Sequence, residues 1–404
     1  MKIVRLLFLL LVVHGFADNV SPLSDNEISQ LKEWIATKRQ VTIQQTGGNF
    51  SLAGDVRTIY GTISEIKDGF KNVGSNSLNP TKANDTFYIQ LNLNFDYRLP
   101  HAWLSAKLDY NNVMGATDGT NDNIALTRAF LGCRLARTSF FTLDIEFGRR
   151  PLWYSFDSKI EFAATFDGIL IKYDQFSERY GDFYIRGGPF VVNQVRNQFA
   201  WIIETAILNV MNTGLYGKYS IIDWDTKSFS TQFLEERFGY CNSQFILGYK
   251  FVMPYIHQTT TVFAAFLVNS AAKGRDVTNY VKANLGWYAG FSIGTVRKKG
   301  DWSTSFNFQV VQPQAVPDFD LTGIGIGNAA AVGLYNTKYD GTGTATTYAN
   351  AAGKNNYWGW RADFLYLITD NFTISQNFSW ARSMDFLPTK FFYKKYQVQV
   401  IYAF

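Results

Sequence analysis

Long stretches of this chain alternate apolar and polar residues with a period of two. In DTFYIQLNLNFDYR, Phe87, Ile89, Leu91, Leu93, Phe95 and Tyr97 fall on one face of an extended strand. Gln90, Asn92, Asn94, Asp96 and Arg98 fall on the other. Successive side chains of a strand point to opposite sides, so such a segment needs one apolar and one wet surrounding. FTLDIEFGRR sets Phe141, Leu143, Ile145 and Phe147 against Asp144, Glu146 and Arg150. WSTSFNFQV aligns Trp302, Phe306, Phe308 and Val310, and YWGWRADFLYLI sets Trp358, Trp360, Phe364 and Tyr366 against Arg361 and Asp363. The rule marks about sixteen strands. They begin near Phe50, Phe87, Ala102, Ile124, Phe141, Asp167, Phe183, Ala200, Leu215, Ser243, Thr259, Val281, Trp302, Tyr357, Phe372 and Phe391. Two of them, AWIIETAILNV and TTTVFAAFLV, alternate poorly.

Between these strands, connections alternate in length. RLPHA, LARTS, SERYGD, VMNT, MPYIH, TVRKKGD and ITDN are short, and the pieces between them are longer. Strands running up and down in order would place short turns at one end and long loops at the other. The run from Pro313 to Asn356, rich in Gly, Ala, Thr and Asn, has no period and reads as a large external loop. A soluble two-sheet sandwich would bury the same apolar faces inward. Three features favour lipid instead: the alternating loops, an apolar final strand, and aromatics near strand ends at Trp103, Trp153, Tyr154, Trp302, Trp358, Trp360 and Trp380. No backbone edge can stay unpaired in hydrocarbon, so first and last strands must join. The expected fold is all-β: a transmembrane antiparallel up-and-down β-barrel over residues 49–404.

Residues 1–17, MKIVRLLFLLLVVHGFA, read as a secretory signal cut after Ala17, with Lys2 and Arg5 ahead of a short apolar run. Residues 18–48 form a periplasmic or plug segment, whose SDNEISQLKEWIATKRQ predicts a short helix carrying Ile28, Leu31 and Ile35 on one face. The chain has 35 Phe, 23 Tyr and 10 Trp but only 18% charged residues. Average globular chains carry about 25% charge, so the balance fits strands with one apolar face each. The formal net charge of +5 falls towards neutrality without Lys2 and Arg5, which favours no nucleic-acid partner. Cys133 and Cys241 fall near opposite rims and are expected free. No His/Cys grouping has metal-ligand spacing, and no cofactor is expected. The glycines in LTGIGIGN lack the strand before and helix after them that a dinucleotide site requires.

The final strand KKYQVQVIYAF aligns Tyr396, Val398, Val400, Tyr402 and Phe404 on one face. That stripe resembles the assembly signal of bacterial outer-membrane proteins, which implies the barrel assembly machinery as a partner. Signal, strand number and loop layout together resemble the bacterial outer-membrane general porin family. The resemblance implies an outer-membrane location in lipid, a homotrimer, and a third external loop that folds inward and narrows the lumen. PLWYSFDSKIEFAATFDG, after the fifth strand, is the matching segment.

A porin works by a wet hole with a shaped electric field, since charges across a low-dielectric tube sort solutes. Arg57, Lys107, Arg128 and Arg150 point inward by parity, and Asp157 and Glu161 lie in the matching loop. The expected constriction sets that basic wall against the acidic loop; the bland alternative is ordinary solvated lumen charge paired with Asp109, Asp144 and Glu146. The implied function is passive diffusion of small hydrophilic solutes and ions. One alternative is a substrate-selective, sugar-like channel with Tyr88, Tyr184, Phe190 and Tyr357 as a stacking track; another is a mainly structural or adhesive barrel. Catalysis is not expected: His101 and His257 both sit in short turns, away from any nucleophile.

Overall fold

The computed structural model describes residues 41–404 apart from residues 46–47, 75, 79–82, 114–122, 178, 195–197, 225–238, 275–280, 318–319, 325–354 and 385–389. The expected signal and N-terminal helix lie outside the described residues. Among the described residues the chain forms one sheet that closes on itself. Sixteen of its strands make the ring, each antiparallel to the next, and two short pieces, β1 (Val41–Gln45) and β3 (Phe70–Lys71), add hairpins to β2 (Gly48–Lys67).

The ring runs from β2 through β4 (Asp85–Arg98), β5 (Ala102–Val113), β6 (Asn123–Arg137), β7 (Phe141–Pro151), β8 (Thr165–Gln175), β9 (Asp182–Asn193) and β10 (Gln198–Leu208). It continues through β11 (Leu215–Asp223), β12 (Cys241–Met253), β13 (Gln258–Asn269), β14 (Leu285–Ile293), β15 (Trp302–Val311), β16 (Tyr357–Leu367), β17 (Phe372–Ser383) and β18 (Phe391–Ala403). β18 closes on β2 from Phe391 opposite Lys67 to Ala403 opposite Asp55. Beyond it Gly54 and Phe404 exchange two backbone hydrogen bonds of 3.0 and 2.9 Å. β1 then takes the same edge of β2, from Val41 opposite Leu52 to Gln45 opposite Gly48. The first described strand and the last strand therefore share one edge, and no stretch of β2 between Gly48 and Leu52 is left unpaired on that side.

Alternation survives folding. On β4 the outward Phe87 and Ile89 are exposed while the inward Asn92 and Asn94 are buried. Across β14–β18 the outward face is aromatic and stacked. Trp358 meets Trp380 at 4.8 Å between ring centroids, and Trp360 meets Phe378 at 5.1 Å. Not every expected girdle residue faces outward. Trp103 shares the face of Lys107 on β5 and so turns into the barrel, where its indole N–H donates to Glu146 at 3.0 Å. Trp153 and Tyr154 sit in a 3-10 turn of the loop after β7, Leu152–Tyr154, and Tyr154 lies under the Arg128 guanidinium at 4.9 Å.

Two strand limits differ from the sequence pattern. β2 runs to Lys67, so that GTISEIK, which reads as the start of a long connection, is strand. β14 begins at Leu285 rather than Val281. Gln314 holds Ala283 out of the ladder, through a backbone bond of 2.6 Å from its N–H and a side-chain bond of 3.3 Å to the Ala283 N–H.

Candidate functional site: the lumen and its two inserted arms

Two connections at the long-loop end turn inward and pack on the inner wall. The first, residues 152–164, follows β7. Alternation at the end of β7 sets Arg149 at the surface, 2.7 Å from Asp167, and buries Arg150, while Gly148, at φ 131°, leaves room for the Ala129 carbonyl. The arm reaches far round the ring. Ser158 donates to Gln244 of β12 at 2.7 Å, Gln244 donates back to the Asp157 carbonyl at 2.9 Å, and Gln309 of β15 donates to the Lys159 carbonyl at 3.0 Å. Phe156 and Phe162 pack with Phe166, Leu170, Phe190, Ala200 and Ile202 of the wall.

The second arm, residues 312–317 and 320–324, corrects the reading of Pro313–Asn356 as an external loop. Ala315, Val316, Leu321 and Ile324 are buried in one cluster with Ile160 of the first arm and Leu267, Tyr288 and Tyr357 of the wall. The apolar side chains of AVP and LTGI have no period because they serve a packed coil, not a strand. The arms are stitched to each other: Ala163 N–H to the Asp320 carbonyl at 2.9 Å, Thr322 N–H to the Ile160 carbonyl at 3.1 Å, and Thr322 hydroxyl to the Glu161 carbonyl at 2.9 Å. Gly323 shows why a glycine stands there. A Cβ would lie 2.3 Å from Gln309 Oε1 and 2.9 Å from the Lys159 carbonyl oxygen. Of the LTGIGIGN run, residues 325–328 lie outside the described residues.

These arms divide the lumen. The inner wall of β8–β14 is covered, and apolar residues there alternate with buried Arg186, Glu204, Lys218, Asn242, Gln244 and Asn269. The wall of β2–β7 and β16–β18 keeps polar groups inward. There Asn92 donates to both oxygens of Asp55 at 2.9 Å, Lys107 pairs with Asp109 at 3.1 Å, and Arg134 pairs with Asp144 at 2.8 Å. Arg361 pairs with Asp363 at 2.8 Å, and Asn377 joins that carboxylate at 2.6 Å.

The expected constriction residues divide the same way. Arg57 and Lys107 lie on the polar wall with 22% and 19% of their side chains exposed. Arg57 is tied to Asp55. Arg128 is buried, donating to Asn94 at 3.2 Å. Arg150 is fully buried over the Phe130 ring at 3.8 Å, and it shares Glu146 with Lys172. Asp157 meets Lys218 of β11 at 3.0 Å and keeps 31% exposure. Glu161 is buried at the seam between arms and wall, where Asn242 donates to it at 3.2 Å. Its carboxyl faces no passage. Burial pushes its pKa well above the usual carboxylate range, and the nearby Asp320 adds to the rise. Burial also pushes Asp320 up to about 8, against hydrogen bonds from the Ala164 and Phe162 backbone.

The imagined stacking track loses three members: Tyr184, Phe190 and Tyr357 are buried beneath the arms. Sequence reasoning missed Lys218, Glu204 and Asp320. Parity alone could have turned Lys218 and Glu204 inward, but Asp320 had no periodic signal. His101 and His257 both lie in short turns, the latter at φ 49°.

Compared with known proteins, the chain has the fold of a 16-stranded porin-like barrel. OmpF of Salmonella typhi, in a complex with daunomycin, aligns over 90% of this chain and 100% of its own, with a TM-score of 0.51 and 12% identity. OprB of Pseudomonas putida, in a high-pH structure, aligns over 89% of this chain and 94% of its own, with the same score of 0.51 and 12% identity. No family model matches the chain, and neither does any curated protein sequence.

Proposed function

We propose that this chain is a bacterial outer-membrane channel for passive diffusion of small hydrophilic solutes and ions. One observation carries the reading: a closed ring turns aromatic and aliphatic side chains outward, while β2–β7 and β16–β18 turn Asp, Asn, Gln, Lys and Arg inward opposite the two arms. A ring with that polarity is stable only with hydrocarbon outside and water along at least part of its bore. The arms narrow the bore from the β8–β14 side, and solutes pass along the polar wall.

Arg57 and Lys107, with Asp157 at the arm's edge, are the constriction charges of this proposal, since they keep solvent contact. Arg128, Arg150 and Glu161 position the arm and its wall. The stripe Tyr396, Val398, Val400, Tyr402 and Phe404 is proposed as the recognition element for barrel assembly, its Tyr402 and Phe404 facing outward and exposed. Charges at the bore are mostly in local pairs, which supports weak rather than steep ion selectivity. Three of the four aromatics of the sugar-track alternative are covered, so a selective channel would have to read its solute with other residues of the bore.

Liposome swelling tests the proposal. Vesicles carrying the folded protein should swell in uncharged sugars at rates that fall steadily with solute size. Swelling confined to one sugar would replace diffusion by selective transport, and no swelling would remove the open bore.

A further inference from the structure

The seam between the two arms holds more carboxylate than its surroundings neutralise. Asp157, Glu161, Glu204 and Asp320 meet there, and Lys218, at 3.0 Å from Asp157, is the ammonium among them. Glu204 is spoken for: it accepts from the Tyr184 hydroxyl at 2.8 Å and from the Asp157 N–H at 3.1 Å. Glu161 and Asp320 have no basic side chain at hydrogen-bond distance among the described residues. Asp320 Oδ1 accepts from the Ala164 N–H at 3.1 Å, but its Oδ2 is buried without a partner. Asn242 adds an independent signal from the wall. It is fully buried, its amide contacts Glu161 at 3.2 Å, and its Oδ1 also has no partner. Asn242 gives its Nδ2–H to Glu161, yet Asp320 Oδ2 and Asn242 Oδ1 stay without donors, so acceptors outnumber donors in the pocket. Burying them is costly unless something positive enters.

We propose that Glu161, Asp320 and the Asn242 side-chain oxygen form a calcium-type cation site that rivets the two arms to each other and to β12. The chemistry fits a hard divalent ion, which takes carboxylates, an amide carbonyl, backbone carbonyls and water, and no nitrogen or sulfur. Among the described residues no group of three or more His, Cys, Asp or Glu side chains is arranged for a metal. The third protein oxygen here comes from an amide instead. The topology explains the value of such an ion. The first arm follows β7, the second follows β15 and Asn242 belongs to β12, so one ion would join three distant parts of the ring.

The test uses the full folded barrel in detergent, stripped with a chelator and titrated with calcium chloride in a calorimeter. Terbium luminescence, sensitised through Tyr288 in the cluster that contains Ile160 and Leu321, gives a second readout. The expected result is one saturable calcium per chain that displaces terbium, with at least tenfold weaker binding in Asp320→Asn. Asn242→Asp, which adds a charged oxygen at the same place, should bind more tightly than the parent. Should Asp320→Asn fail to fold, Asn242→Asp and Asn242→Ala keep the test open. Absence of saturable calcium, or affinity unmoved by Asn242→Asp and Asn242→Ala, overturns the site; the pair then shares a proton instead. Binding is read without transport, so its failure leaves the channel reading standing, and failure of that reading leaves the site standing.

Discussion

The inner wall of this barrel has two characters. Along β8–β14 Phe166, Leu170, Phe190, Ala200, Ile202, Ile222, Ile246, Leu267 and Tyr288 face inward under the inserted arms, with Arg186, Glu204, Lys218, Asn242 and Gln244 buried among them. Along β2–β7 and β16–β18 they include Asp55, Arg57, Asn92, Lys107, Asp109, Arg361, Asp363 and Asn377, joined side by side in hydrogen-bonded pairs. Outward faces of both sectors are apolar. The difference lies in what each inner face meets: folded chain in one sector, and solvent in most of the other, where only the upper part of β6 and β7 around Arg128 and Arg150 is covered. A strand in a porin-like barrel thus loses its alternation where a loop docks on it.

The largest expected contrast comes from placing a charge on each wall. Ile202→Asp, under the first arm, should cost about 3–5 kcal/mol of unfolding free energy, since the carboxylate would be buried without a partner. Gln399→Asp, on the inner face of β18, should change stability by no more than about 0.5 kcal/mol. Denaturant unfolding in detergent, read by the change in gel mobility, separates the two. Arg150→Gln should behave like Ile202→Asp, at about 3–5 kcal/mol, because it leaves Glu146 short of its buried partner. Its ion selectivity should stay at the parent value.

A smaller loss is expected at the arm. Gly323→Val forces a side chain against Gln309 and the Lys159 carbonyl, an overpacking worth about 1–3 kcal/mol. The second arm should loosen, and the 152–164 segment with it, giving noisier and wider openings and faster limited proteolysis near residue 160. Quiet, unchanged openings would mean that the arms do not narrow the path.

The smallest effect on stability and the clearest on transport should come from Arg57→Gln combined with Lys107→Gln. Both cations keep some solvent contact and Asn92 still donates to Asp55 after the change, so each loss should be about 1 kcal/mol or less. Reversal potentials in a salt gradient should shift towards cations at about 0.1 M salt and converge on the parent in about 1 M, where screening shortens to about 3 Å. An unmoved potential at low salt would take these residues out of the constriction.

Much of the ring was legible in the sequence because its cause is local. Period two in segments such as Phe87–Tyr97 needs only the pleat and a boundary between oil and water. Fifteen of the sixteen predicted strand starts lie within about two residues of those observed; the exception, β14, was shifted by Gln314, a contact from 31 residues away. The weak alternation of AWIIETAILNV and TTTVFAAFLV was visible too. Its meaning was not, since it depends on arms arriving from residues 152–164 and from residues 312–317 and 320–324. The same long-range packing hid the division of the candidate site. Parity turned Arg57 and Arg150 to the same side of the wall, yet only one of them keeps solvent. Trp103 was misassigned because parity was set aside for a rule about aromatics; it shares the face of Lys107, and Glu146 accepts from its indole there.

Current through a planar bilayer holding the purified barrel tests the central claim most directly. A water-lined passage along β2–β7 and β16–β18 predicts discrete ohmic steps whose size grows in proportion to salt concentration. A membrane that stays silent over many insertions of correctly folded protein would mean that the arms seal the bore, and the channel account would be contradicted.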